Sequence, residues 1–291
     1  MIPIPIKTEV LIEALPYIQR YEGKTFVIKY GGAAMIDEDL NEAFAQDVTL
    51  LKKIGIKILI VHGGGKEVTD IGSRLGLESR FVNGQRYTDA ATMEVVQMVL
   101  AGKTNKDIVG RINRHDGDAV GLCGIDAGLL KVKKFDAEDL GFVGEVVDVN
   151  TQFLQLLFSH AIMPVLAPVG VDAAGQVYNV NADIAAAGIA AAIQAEKLVY
   201  LSDVEGVMAH GNLVHSMTLQ EANTLIGSGI ISNGMVPKIR SAFQALKAGV
   251  NKVHMIDGRV KHSLLLEIFT DEGIGTELVR SLHHHSPEVH A

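Results

Sequence analysis

The chain has 291 residues, which at about 150 residues per domain makes roughly two domains or one domain with two lobes. A hydrophobic content of 48% excludes a disordered chain, and 5% aromatic residues without tryptophan favour an aliphatic core of helices on a parallel sheet over a β-sandwich. A net charge of −8 gives no basic field for nucleic acid, and the single cysteine, Cys123, allows neither an internal disulfide nor a thiolate metal cage. With no apolar run of about 18 residues and no signal-like N-terminus, the chain reads as cytoplasmic, with no nucleic-acid or membrane partner.

The first predicted element is a helix over Glu9–Tyr21, with Leu11, Leu15 and Ile18 at helical spacing and Pro16 expected to bend or cut it. Residues 1–22 therefore read as an appended N-terminal arm. Two short β-branched strands follow, Thr25–Tyr30 and Lys57–Val61, each ending in glycines and separated by a helix over Asp39–Ile54. Further strands are expected at Ala119–Cys123, Leu129–Phe135, Val143–Val149, Ile162–Leu166, Lys197–Ser202 and Lys252–Asp257. The pair within Leu129–Val149 reads as an antiparallel hairpin that would make the sheet mixed. Asn181–Gln194 reads as an alanine-rich helix with Asn181 as its N-cap and Asp183 in its first turn. The fold class is thus α/β: an αβα sandwich with a mainly parallel central sheet and two lobes, 23–194 and 195–291. The histidine-rich end from Ser281 reads as a solvated tail.

Standard phosphate and hydrolase motifs fail on inspection. Gly23-Lys24-Thr25 has Ile18, and Gly102-Lys103-Thr104 has Gln97, where a Walker A loop needs its first glycine. Val68 stands where a dinucleotide fingerprint needs its third glycine, and no Gly-x-Ser-x-Gly accompanies His62-Gly63-Gly64-Gly65. What remains is a pair of strand-to-helix glycine loops, Lys29-Tyr30-Gly31-Gly32 and His62-Gly63-Gly64-Gly65. Successive glycines let backbone amides converge on an anion, and a following helix N-terminus adds positive charge. Together the loops suit one transferring phosphoryl group. Taken alone, His62 reads as a structural partner of its loop and Cys123 as a buried, inert thiol.

Several blocks in order, FVIKYGGAAM (26–35), VHGGGKEV (61–68), NGQRYT (83–88), NVNAD (179–183), LSDVEGV (201–207) and GMVPKI (234–239), resemble the amino acid kinase family. Within it they are similar to the arginine-sensitive acetylglutamate kinases. The resemblance runs from about Lys24 to Leu278 and implies ATP-dependent phosphorylation of the γ-carboxylate of N-acetyl-L-glutamate, the second step of arginine biosynthesis, with Mg²⁺ accompanying ATP and no metal ligand from protein side chains. It implies that Lys29 and Lys238 flank the phosphoryl group and that Asp183 organises both. Gly32 and Gly64 would bind phosphoryl oxygens, and Gly64, Gly65, Arg86 and Asn179 the acetylated amino acid. Asp203, Val204, Glu205, Gly206, Val207 and Met208, with Ile230, Ile231 and Ser232, match nucleotide-binding segments. The N-terminal arm implies a homohexamer built as a trimer of dimers. The block over residues 262–278 implies arginine as a feedback inhibitor, with Glu267, Gly273 and Gly275 as effector contacts.

Elementary chemistry agrees with such a reaction. A γ-carboxylate with a pKa of about 4.3 is already an ionised nucleophile at neutral pH and needs no general base. The obstacle is repulsion between two polyanions, which lysines and aimed amides offset. Arg86 suits an α-carboxylate because its planar fork binds two oxygens. A sister kinase acting on another carboxylate or a carbamate, and a catalytically silent arginine-sensing module, remain open alternatives at this point.

Overall fold

In the computed structural model, which describes residues 4–35, 37–232, 234–270 and 273–280, alternation of side chains along three central strands builds a three-layer architecture. In Thr25–Tyr30, Val27 faces one apolar cluster while Phe26, Ile28 and Tyr30 face the other. Leu59 and Val61 against Ile58 and Ile60 in Lys57–His62, and Leu198 and Tyr200 against Val199 and Leu201 in Lys197–Ser202, repeat the pattern. Both faces are apolar because both are covered, as a parallel sheet with helical crossovers requires. One face carries the helices Ala182–Ala192 and Met235–Lys247, and the other Glu38–Lys53 and Asn105–Arg114.

The central sheet has eight strands in the order Ser216–Thr218, Thr276–Val279, Lys252–Asp257, Lys197–Ser202, Thr25–Tyr30, Lys57–His62, Met163–Ala167, Ala119–Cys123. All pairings are parallel except that between Lys252–Asp257 and Thr276–Val279. The αβα fold class is therefore as expected. One sheet runs unbroken through residues before and after position 195, joined by Thr25–Tyr30 and Lys197–Ser202 side by side.

Two details differ from expectation. The hairpin Leu130–Lys134 with Val143–Val149 forms, but it does not enter the central sheet; with Val169–Val171 and Val177–Val180 it closes a separate four-stranded barrel. The mixed character of the central sheet comes instead from Thr276–Val279. The N-terminal helix is one continuous element, Ile4–Tyr21, through Pro16. Proline there removes one backbone donor, and the turns on both sides retain theirs. Its last turn packs on the sheet through Tyr21 against Phe26, with ring centroids 5.2 Å apart. The histidine-rich end, from Ser281 onward, lies outside the described residues. Among the described residues, no helix is long and apolar enough to cross a membrane.

Candidate active site

The C-terminal ends of the parallel strands bring the two glycine loops together. Gly63 N–H donates to Tyr30 O at 2.7 Å, so the second loop is tied directly to the strand that carries the first. A Cβ on Gly31 would stand 2.8 Å from Lys29 Nζ, so the glycine leaves the end of the lysine side chain free to lie against the loop. The second loop runs into the helix Gly65–Arg74, whose first-turn amides open onto the site.

Lys29 shares the sheet face of Val27 and its register partner Tyr200, which is the face covered by the alanine-rich helix. That helix starts as the sequence indicated: Asn181 Oδ1 accepts from Asp183 N–H at 2.8 Å and from Ile184 N–H at 3.3 Å. The cap places Asp183 between two cations. Its Oδ1 lies 3.0 Å from Lys29 Nζ, and its Oδ2 accepts from Lys238 Nζ at 2.9 Å. Lys238 sits in the first turn of Met235–Lys247, where a cation is unfavourable to the helix dipole, so Asp183 holds it against that penalty. Burial drives the Lys29 pKa down, and the attraction of Asp183 offsets only part of that. For Asp183, burial pushes upward, but Lys29 and Lys238 together outweigh it and the carboxyl falls below its ordinary value. The result is a buried carboxylate holding two ammonium groups, with a net charge of plus one facing the loops.

Next to this triad lies a cavity of about 410 Å³, lined by Gly63–Gly65, Arg86, Asn179 and Ala182 among others. Its size suits a small organic acid. Arg86 ends a two-strand ribbon, Phe81–Val82 with Gln85–Arg86, turned by Asn83 and Gly84 in left-handed conformations. Its guanidinium donates to Ser79 Oγ, Gly65 O and Thr69 Oγ1, each at 2.7 Å, and lies 4.8 Å from the Phe81 ring centre. All those partners are uncharged, so the cation is oriented without being neutralised. Asn179 Nδ2 donates to Thr88 Oγ1 at 3.2 Å. Gln85–Arg86 and Val177–Val180 thus deliver both expected substrate contacts to one cavity. The roles of Thr69, Ser79, Phe81 and Thr88 went unread in the sequence, although Asn-Gly between β-prone residues is a strong hairpin signal.

The segment 203–208 follows the strand Lys197–Ser202 and adjoins the first loop: a Cβ on Gly32 would lie 3.7 Å from Asp203 Cγ. Within it Gly206 has φ +154° and leaves room for Thr276 Oγ1, which accepts from Val207 N–H at 2.8 Å. Ile230 to Ser232 stand just ahead of Met235–Lys247, with Ile231 buried and Ile230 partly exposed. Among the described residues, no three His, Cys, Asp or Glu side chains converge on a metal position.

The matching family model, "Amino acid kinase family", spans residues 24–257. The chain belongs to the amino acid kinase family. It is 55% identical over 273 residues to the acetylglutamate kinase of Chlorobaculum tepidum, covering 94% of this chain and 96% of that protein. Against the acetylglutamate kinase of Aquifex aeolicus the identity is 54%, covering 94% and 97%. Among solved structures, N-acetylglutamate synthase from Neisseria gonorrhoeae, in complex with coenzyme A and N-acetyl-glutamate, superposes with a TM-score of 0.85 at 28% identity. That match covers 95% of this chain, which spans only 64% of the synthase chain. Carbamate kinase from Giardia lamblia shares the fold, with a TM-score of 0.65 at 15% identity over 89% of this chain and 99% of that one. The protein is accordingly an amino acid kinase in the phosphotransferase sense, and its place among acetylglutamate kinases rests on identity along nearly the whole chain.

The effector candidates occupy a different region. Glu267 and Gly273 lie on the sheet face opposite Lys29: Glu267 meets His254, which alternates with Val253 and Met255 of the Lys29 face, while Gly275 stands against Met255 and Ile256. Glu267 is buried, hydrogen-bonds with His254 Nδ1, whose pKa burial lowers, and accepts from Ile274 N–H at 3.0 Å. Gly273 has φ +60° and a Cβ there would stand 2.9 Å from Glu267 Oε2. Lys197 lies 5.1 Å from the Tyr21 ring centre, and burial lowers its pKa to about 8.

Proposed function

We propose that the protein transfers the γ-phosphoryl group of ATP to the γ-carboxylate of N-acetyl-L-glutamate, forming N-acetylglutamyl 5-phosphate and ADP in the second step of arginine biosynthesis. The observation that carries this reading is Asp183 holding Lys29 and Lys238 at 3.0 and 2.9 Å beside a cavity into which Arg86 is aimed. Arg86 takes the α-carboxylate by its fork, and Asn179 the acetylamino group. Gly64 and Gly65 amides orient the γ-carboxylate, and Gly32 and Gly64 amides receive the phosphoryl oxygens. The carboxylate attacks phosphorus as it stands, since it is ionised and no proton need leave it. Lys29 and Lys238 follow the charge that moves toward the leaving diphosphate.

Residues 203–208 and 230–232 take the nucleotide in this reading. Mg²⁺ arrives on the nucleotide's own phosphates, which agrees with a site whose nearest carboxylate, Asp183, is already committed to two lysines. Residues 23–194 act as the amino-acid lobe and 195–291 as the nucleotide lobe of a cytoplasmic enzyme.

Arginine serves as feedback inhibitor in the same reading. The buried Glu267 carboxylate, with Gly273 beside it and Gly275 packed on Met255 and Ile256, supplies the anion a guanidinium needs. The exposed apolar residues Val10, Leu11, Ile12 and Leu15 on the N-terminal helix supply a face for interlacing dimers into a hexamer. Hydroxylamine trapping of the acyl phosphate, with N-acetylglutamate, glutamate and carbamate compared with and without arginine, tests the whole proposal. Hydroxamate from N-acetylglutamate above all others is the expected result. Equal or greater yield from another acceptor overturns the substrate assignment.

A further inference from the structure

His62 ends its strand on the face opposite Lys29, because it alternates with Ile58 and Ile60 whereas Lys29 alternates with Val27. It is fully buried and is not itself one of the residues that line the cavity. Yet its Nδ1 lies 2.7 Å from the carbonyl oxygen of Gly63, the residue next to it. In a trans peptide the carbonyl oxygen and the following amide hydrogen point in opposite directions. A Gly63 carbonyl drawn toward His62 therefore turns the Gly64 N–H toward the Lys29 face. That N–H finds no acceptor among the described residues, and Gly63 N–H is already committed to Tyr30 O.

The ring nitrogen that carries the proton is set by Asn105. Its Nδ2 lies 2.9 Å from Val165 O, 3.3 Å from Leu122 O and 3.2 Å from His62 Nε2. Reversing the amide would set its oxygen against two carbonyl oxygens, so the hydrogen-bearing Nδ2 faces Nε2, which therefore carries no proton of its own. The proton then sits on Nδ1, where it reaches Gly63 O. Asn105 follows the π-helical turns Gln97–Thr104, which also press Leu100 against the loop: a Cβ on Gly64 would stand 2.6 Å from Leu100 Cδ2. Such widened turns often mark functional positions in helices.

We propose that His62, locked by Asn105 as the Nδ1–H tautomer, is the positioning residue that aims the Gly64 amide at the transferring phosphoryl group. This deepens the proposed function and rests on it. Burial pushes the imidazole pKa down to about 4, so the ring stays neutral and the arrangement persists through the physiological range.

Two measurements test the idea. Solid-state ¹⁵N spectra of histidine-labelled wild-type protein, with the His62 signals assigned by their absence in His62→Asn, should show a neutral ring protonated on Nδ1. A proton on Nε2 overturns the inference whatever the substrate. In turnover, His62→Leu should lower kcat by about 100-fold with KM for both substrates within about threefold, the size expected for a lost anion-hole donor. His62→Asn, whose amide nitrogen takes the place of Nδ1, should recover most of that loss, and His62→Gln should not. A folded His62→Leu with unchanged kcat, or Gln rescuing as well as Asn, overturns it. Should the leucine variant not fold, the wild-type tautomer and the Asn–Gln comparison decide. Wild-type protein that makes no hydroxamate from N-acetylglutamate would instead sink the substrate reading, and the variants are then compared on the acceptor that it does phosphorylate.

Discussion

Lys238 donates to Asp183 at 2.9 Å, joining the helix Met235–Lys247 to the helix Ala182–Ala192 that borders the cavity. The other carboxylate oxygen holds Lys29. Asp183→Asn removes the carboxylate that bridges two ammonium groups converging on one spot. It should lower kcat by about 10²–10³, the scale of losing a preorganised electrostatic partner, with KM for the acceptor little changed. Steady-state kinetics on a variant with a native circular dichroism spectrum checks this.

The pH dependence follows from the same cluster. Lys29 must be cationic to act, and burial holds its pKa below the ordinary lysine value. Activity is therefore present at neutral pH and lost as pH rises through that lowered value. The alkaline limb of kcat/KM, which reports the free enzyme, should fall earlier than 10.5. Asp183 is depressed, so its contribution to stability is complete above the ordinary carboxylate value and is lost only as pH drops through its lowered one.

Arg86→Lys keeps the charge but loses the fork, along with the contacts to Ser79, Thr69 and Gly65 that aim it. KM for N-acetylglutamate should rise about 10- to 50-fold, roughly 1.4–2.3 kcal/mol, with kcat within about threefold. Initial rates at saturating ATP measure it.

The adjacent glycines 64 and 65 should respond differently to alanine. Gly64 has φ +141° and its added Cβ would meet Leu100 Cδ2 at 2.6 Å, whereas a Cβ on Gly65 has nothing within 4 Å. Gly64→Ala should destabilise by about 1–3 kcal/mol through strain and overpacking. Gly65→Ala should leave the denaturation midpoint nearly unchanged, and urea titration of the two variants compares them directly.

Glu267→Gln keeps the shape beside Gly273 and removes the buried negative charge. The arginine concentration giving half-inhibition should rise at least about tenfold while uninhibited turnover stays the same, because Glu267 meets His254 on the sheet face opposite Lys29. Retained inhibition would remove Glu267 from the effector site.

The clustering of Lys29 with Asp183 was legible in the sequence because local chemistry sets it. Lys29 is fixed by strand alternation and by the glycines after it, and Asp183 by the Asn181 cap one turn into an alanine helix. Short strands were less legible. Val169–Val171 and Val177–Val180 have too few residues to show a period, and they form only because the chain passes from the central sheet through Pro168 and closes on Val143–Val149. The polar shell of Arg86 was equally hidden, since Thr69 and Ser79 come from a helix and a loop that only the folded chain brings together. His62 read as a structural partner of its loop, and its hydrogen bond to Gly63 agrees; what a single residue could not show is that this bond lies one peptide away from the Gly64 amide.

The four-stranded barrel gives the enzyme a replaceable part. It contributes Val143, Asn179 and Val180 to the cavity wall but shares no strand with the sheet that carries Lys29. Under the proposed function, substitutions in its outer turns would reshape which acid is admitted while leaving the strand that carries Lys29 untouched. Acceptor preference and phosphoryl chemistry are therefore free to diverge at different speeds, and descendants of one ancestral transferase can change diet while keeping the same engine.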